Sequence, residues 1–161
     1  RSVRLDVKAK DAEGHPINIE SQRDSSKAIP RRARYHSSML NAVEDGKIKA
    51  VISVGGVYTL AYLIRMELKR QGIHRPEQTI RLRALLDIIM SMATAVGISH
   101  RRITQAIDDT SFDDVEDSFQ YQSALQAKCD SLVTINLRDY RNADTSKMEI
   151  LSPTEFVEKY L

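Results

Sequence analysis

The stretch KIKAVISVGGVYTLAYLIRMELKRQG, residues 47–72, sets a strand pattern directly against a helix pattern. Ile48 to Val54 is rich in β-branched residues, as in a strand buried on both faces. After Gly55 and Gly56 the apolar residues recur at Val57, Leu60, Ala61, Ile64 and Leu68, one face of a helix. Gly72 supplies the stop. A strand feeding straight into a helix is half of a crossover unit, and crossover units build parallel sheets.

The pattern repeats downstream. Helical spacing runs from Thr79 to Met92, "ATAVGI" reads as a short strand, and "SHRRITQAID" as a short helix capped by Ser99. Val115 to Lys128 reads as a helix with Phe119, Leu125 and small alanines inward. "SLVTIN" and "MEILS" are strand candidates. In "SPTEFVEKYL" Ser152, Pro153 and Glu155 take the N-cap, N1 and N3 places of a capping box. The expectation is an α/β fold with a mostly parallel sheet flanked by helices in three layers. Its functional side chains should gather beyond the carboxyl ends of the strands.

Upstream, "SVRLDVKAK" alternates with period two, "DAEGHP" has turn chemistry and "INIESQ" resumes apolar residues, together a β-hairpin. Arg31 to Asp45 is helical in pattern, with Gly46 at its end. At 161 residues the chain suits one domain with a real core, and its net charge of +2 gives no general basis for binding nucleic acid. Cys129, the single cysteine, excludes an internal disulfide and fits a reducing, cytoplasmic setting; it reads as a packing residue. No apolar run reaches the length of a membrane span and no signal peptide is visible.

The segment FDDVEDSFQYQSALQAKCDSLVTINLRDY, residues 112–140, concentrates acids. Asp114 and Asp117 are i, i+3 at a helix start, while Asn136 and Asp139 follow a strand end. Such a junction can collect oxygen ligands for a magnesium-type ion. First-turn acids also favour the helix dipole without any function. Asp113, Glu116 and Asp130 read as solvent-facing.

"IKAVIS", the acidic segment and "ILSPTEF", within residues 41–161, resemble a bacterial PIN domain whose pattern runs close to D-F-x-D-F-E-D-A-x-Q-Y-x-S-A-L-x-A-G-C-D-x-I-V-T-R-N-x-x-D-F. The resemblance implies a nuclease dependent on Mg2+ or Mn2+, acting mostly on single-stranded RNA, often a toxin held by an antitoxin. It implies metal ligation by Asp117, Asn136 and Asp139, to which the helix-start spacing adds Asp114. Two departures stand out. Thr59 occupies the family's second acidic position, and the usual first-strand Asp is missing. Arg138 can pair with a neighbouring carboxylate or with substrate phosphate.

Residues 2–42 are similar instead to the recombination-promoting, transposase-associated nucleases of the PD-(D/E)XK class, through "RLDV", "NIESQ" and "RRARYHSSM". That resemblance implies metal-site roles for Asp6 and Glu20, with Gln22 in the place of the usual Lys. The chain then reads as one PIN-like domain, 1–161, with residues 1–41 integrated as a hairpin and helix that replace the usual first strand. Strand 17–21 is expected to fill the central slot parallel to 49–53, with 2–9 antiparallel beside it, aiming Glu20 at Asp117 and Asp139.

Three functions follow: a degenerate metal-dependent ribonuclease with Asp117, Asp139 and Glu20 as catalytic acids, an inactive nucleic-acid-binding or interaction module, or a PD-(D/E)XK-type DNA nuclease. Lys27, Arg31, Arg32 and Arg34 read as a solvated basic face, and so do His100, Arg101 and Arg102. His15 and His36 lack partners at zinc-ligand spacing. Gly55 and Gly56 read as a strand-to-helix turn, not a phosphate loop. Tyr58 and Tyr62 read as core or homodimer contacts.

Overall fold

The computed structural model describes the backbone of residues 2–3, 8–10, 16–18 and 29–161, with side chains from Ser37 onward. In chain order the strands are β1 (Ser2–Val3), β2 (Lys8–Lys10), β3 (Pro16–Asn18), β4 (Lys49–Ser53), β5 (Ala93–Val96), β6 (Ser131–Val133) and β7 (Glu149–Leu151). The helices are α1 (Ile29–Glu44), α2 (Val54–Arg70), α3 (Glu77–Met92), α4 (His100–Asp108), α5 (Val115–Gln126) and α6 (Pro153–Tyr160), with a 3-10 turn at Leu137–Tyr140.

Five strands form one sheet in the order β5-β4-β1-β6-β7, and every pair in it is parallel. Ser2 lies opposite Lys49, and Val3 lies opposite both Ala50 and Ser131. β1 is therefore the central strand, with the chain winding outward to either side of it. A crevice outside the carboxyl ends of the strands belongs next to such a reversal.

This corrects the expected topology. The central slot is held by Ser2–Val3, while Pro16–Asn18 pairs antiparallel with Lys8–Lys10 in a separate two-stranded sheet. The physical reason is that period-two alternation marks a strand without naming its partner. "SVRLDVKAK" reads as one strand, yet its two ends join different sheets. Asp6, Glu20 and Gln22, with His15 and Lys27, lie outside the described residues, as do the side chains of Arg31, Arg32, Arg34 and His36.

Strand alternation divides the core. Ala50 and Ile52 of β4, with Val133 of β6, pack with Met39, Leu60, Ile64, Leu68, Leu85, Ile89 and Phe156 from α1, α2, α3 and α6. Val51, Leu132 and Ile150 instead join Phe112, Tyr121, Ala124, Cys129, Tyr140 and Met148. Alternate residues of a strand point to opposite faces, so β4 contributes to the two clusters from its two faces. α1 packs on α3 and α6, which ties the N-terminal part into the first cluster. Phe156 and Ile64 are wholly buried, each worth about 1.5–3 kcal/mol.

The capping box of α6 is present as expected: Ser152 Oγ accepts from the Glu155 N–H, and the Glu155 carboxylate accepts from the Ser152 N–H. Gly46 and Gly72 take positive φ values at helix ends. Gly55 and Gly56 lie inside the first turn of α2, which starts at Val54. A Cβ at Gly56 would come 3.1 Å from Ser53 Oγ and 3.2 Å from Ile52 Cγ1. That crowding accounts for glycine there.

The inward face of α5 differs from expectation. Phe119 and Leu125 are only half-buried, while Ser118, Gln120, Tyr121, Gln122, Ser123 and Ala124 are buried. Polar groups on that face need partners. Gln122 accepts from Arg102, and Ser123 Oγ donates to the Phe119 carbonyl.

Candidate active site at the carboxyl edge of the sheet

α5 begins beside the carboxyl ends of the central strands, and three side-chain contacts hold it there. Ser53, the last residue of β4, donates from Oγ to Gln120 Oε1 at 2.9 Å in a buried contact. The same Oγ accepts from the Gly56 N–H and caps α2. Tyr140, beyond β6, donates from its hydroxyl to Asp117 Oδ1 at 2.9 Å. Thr59 on α2 makes a long 3.5 Å contact from Oγ1 to Glu116 Oε1. The first turns of α5 are thus fastened to β4, to α2 and to the segment after β6, on the edge toward which β1 also runs.

Tyr140 is 4% exposed and packs edge-on against Phe112, with ring centres 5.6 Å apart. A buried phenol on a packed ring fixes the carboxylate it touches. Asp117 is half-buried, as are Asn136 and Asp139. The Asn136 N–H donates to Thr134 Oγ1 at 3.1 Å. The Asp139 N–H donates to the Asn136 carbonyl, also at 3.1 Å. These two bonds brace the turn, and Tyr140 ends it against Asp117.

Asp114 caps the start of α5. It is exposed, stands at the N-cap of α5, and its Oδ1 accepts from the Glu116 N–H at 2.8 Å. Asp113, Glu116 and Asp130 are exposed, as expected, with Asp113 3.6 Å from Arg141 in a surface pair. Among the described residues no three His, Cys, Asp or Glu side chains are grouped to hold a metal ion. Asp114, Asp117 and Asp139 therefore do not form a complete site by themselves. Arg138 is exposed on the same turn as Asp139.

A family model described as a PIN domain matches residues 27–138. The chain belongs to the PIN-domain family. No match was found among curated proteins or among solved structures. The PIN-domain match takes in all of α1, which the motif resemblance assigns to the other nuclease type. PIN domains are in general metal-dependent nucleases that take Mg2+ or Mn2+. The described edge offers carboxylate, amide and hydroxyl oxygens, the donors such hard ions prefer, so it fits them in kind.

Where the PIN-domain pattern has Gly, this chain has Lys128, and its φ is +55° at the end of α5. Where the pattern ends in Phe, it has Tyr140, whose added hydroxyl reaches Asp117. Sequence reading missed Ser53, Gln120, Glu116 and Tyr140 as members of this edge. Ser53 alone carried a local signal, a serine just before a helix. Tyr58 and Tyr62 are 72% and 54% exposed, which removes the core reading for both. No helix among the described residues is long and apolar enough to cross a membrane.

Proposed function

We propose that this PIN domain is a metal-dependent nuclease that hydrolyses phosphodiester bonds in single-stranded RNA, at a centre containing Asp117, Asp139 and Asn136. The observation that carries the reading is the Tyr140 hydroxyl on Asp117 Oδ1, which holds one acid at the edge where the family's chemistry takes place. Mg2+ or Mn2+, when bound, supplies positive charge against the phosphate and lowers the pKa of a water.

The chain's own residues then have separate tasks. Asp117, Asp139 and Asn136 provide oxygen donors, and Arg138 meets substrate phosphate. For the missing first-strand acid we favour Asp6 over Glu20, because β1 fills the central slot and Asp6 is the first acid after it in the sequence. We extend the proposal to a single three-layer domain over 1–161, a cytoplasmic location and a toxin-like role with an antitoxin partner.

Incubating the protein with single-stranded RNA and with duplex DNA, in Mn2+, tests the reading. Cleavage of RNA lost in Asp117→Asn and Asp6→Asn but kept in Glu20→Gln supports it. Cleavage of duplex DNA that depends on Glu20 would contradict it. A second reading, an inactive nucleic-acid-binding module, is favoured by Thr59 at the second acidic position, where a neutral hydroxyl stands in place of a charge. It requires that no substrate be cut.

A further inference from the structure

α2 leads away from the carboxyl edge of the sheet, and one of its faces is uncovered. Tyr58, Tyr62, Arg65 and Lys69 follow at i, i+4, i+7 and i+11, which places them in a single stripe. All four are exposed. The Arg65 guanidinium carbon lies 5.9 Å from the centre of the Tyr62 ring. At 1.5 Å per residue the stripe is about 16 Å long. Its Tyr58 end adjoins Thr59, which contacts Glu116 at the candidate site.

The charges on this face have one sign. The exposed charged residues of α2 are Arg65, Lys69 and Arg70. Its one acid, Glu67, is held by Arg70 and Gln71. A second copy meeting this face through its own α2 stripe would bring cations against cations. A strand of nucleic acid instead offers phosphates for the cations and flat bases for the rings.

We infer that the Tyr58–Tyr62–Arg65–Lys69 stripe is a binding track for single-stranded nucleic acid, with bases stacked on the two tyrosines and phosphates held by Arg65 and Lys69. The inference rests on the nuclease reading above and adds the route by which substrate reaches that site. Stacking tolerates any base, so the track selects single strands over duplex without reading sequence.

Fluorescence anisotropy with a short labelled oligouridylate, a matching oligothymidylate and a duplex tests it, using the full chain without added metal. Tyr58→Ala and Tyr62→Ala should each weaken single-strand binding about tenfold or more, with Tyr→Phe preserving it and Tyr→Leu not. Arg65→Ala and Lys69→Ala should each lower the slope of log affinity against log salt by about 0.7. Both tyrosines are exposed, so the variants should melt with wild type. Wild type that binds, with alanine variants that bind equally well, would overturn the track and leave the nuclease reading standing. Wild type that binds no oligonucleotide would overturn the track, while the Mn2+ cleavage assay decides the nuclease reading separately. A dimer in sedimentation that the alanine variants dissolve, with binding unchanged, would assign the face to a second copy instead.

Discussion

The hydroxyl of Tyr140 reaches Oδ1 of Asp117 across 2.9 Å, joining the turn after β6 to the first turn of α5. Removing the hydroxyl while keeping the ring isolates this contact. Tyr140→Phe should cost about 1.5–3 kcal/mol, since the acceptor is a carboxylate. Partners of this kind orient metal ligands, so Mn2+ affinity should fall about 10- to 100-fold. Melting and Mn2+ titration of the same variant check the two effects separately.

Asp114 caps α5. Asp114→Ala should lose about 1 kcal/mol of stability, while Asp114→Asn, which also caps well, should stay near wild type. Neither should change the Mn2+ response. Urea unfolding with and without Mn2+ makes the comparison.

Ser53 and Ser118 are both buried serines with opposite expectations. Ser53→Ala removes the cap of α2 and strands the Gln120 oxygen, at a cost of about 2–4 kcal/mol. Ser118 Oγ is buried, on a residue 0% exposed, without a hydrogen-bond partner among the described residues. Ser118→Ala should therefore be neutral or slightly stabilising. Denaturant midpoints of the two variants give the contrast.

The capping box makes a small part of stability depend on pH. The Ser152 hydroxyl, then its N–H, holds the Glu155 carboxyl below its usual range, partly offset by burial. A lowered folded-state pKa contributes stability above the unfolded value, near about 4.3, and loses it as pH falls through the folded one. Glu155→Gln should be less stable than wild type at neutral pH by under about 1 kcal/mol, given its exposure. The gap should close under acid. Melting curves across pH 3–7, roughly the span of the carboxylate titration, follow it.

The helices and the strands after residue 47 were legible because each carries its own period and its own stop residues. Ser152, Pro153 and Glu155 announce α6 within four residues of sequence. The placement of β1 was not legible, because Val3 finds its partners at Ala50 and Ser131, far along the chain. The site divides the same way. Asp117 and Asp139 stand out as acids near element ends, whereas the Ser53–Gln120 and Tyr140–Asp117 contacts exist only once the sheet is assembled. Asp114 was legible as an acid at a helix start, and the structure shows its Oδ1 capping α5.

Calorimetric titration of Mn2+ into wild type and Asp117→Asn tests the central claim most directly. Saturable binding by wild type, lost or weakened at least about tenfold in Asp117→Asn while both proteins melt alike, is the expected result. Equal binding by both proteins, or none by wild type at millimolar Mn2+, would contradict a metal centre at Asp117.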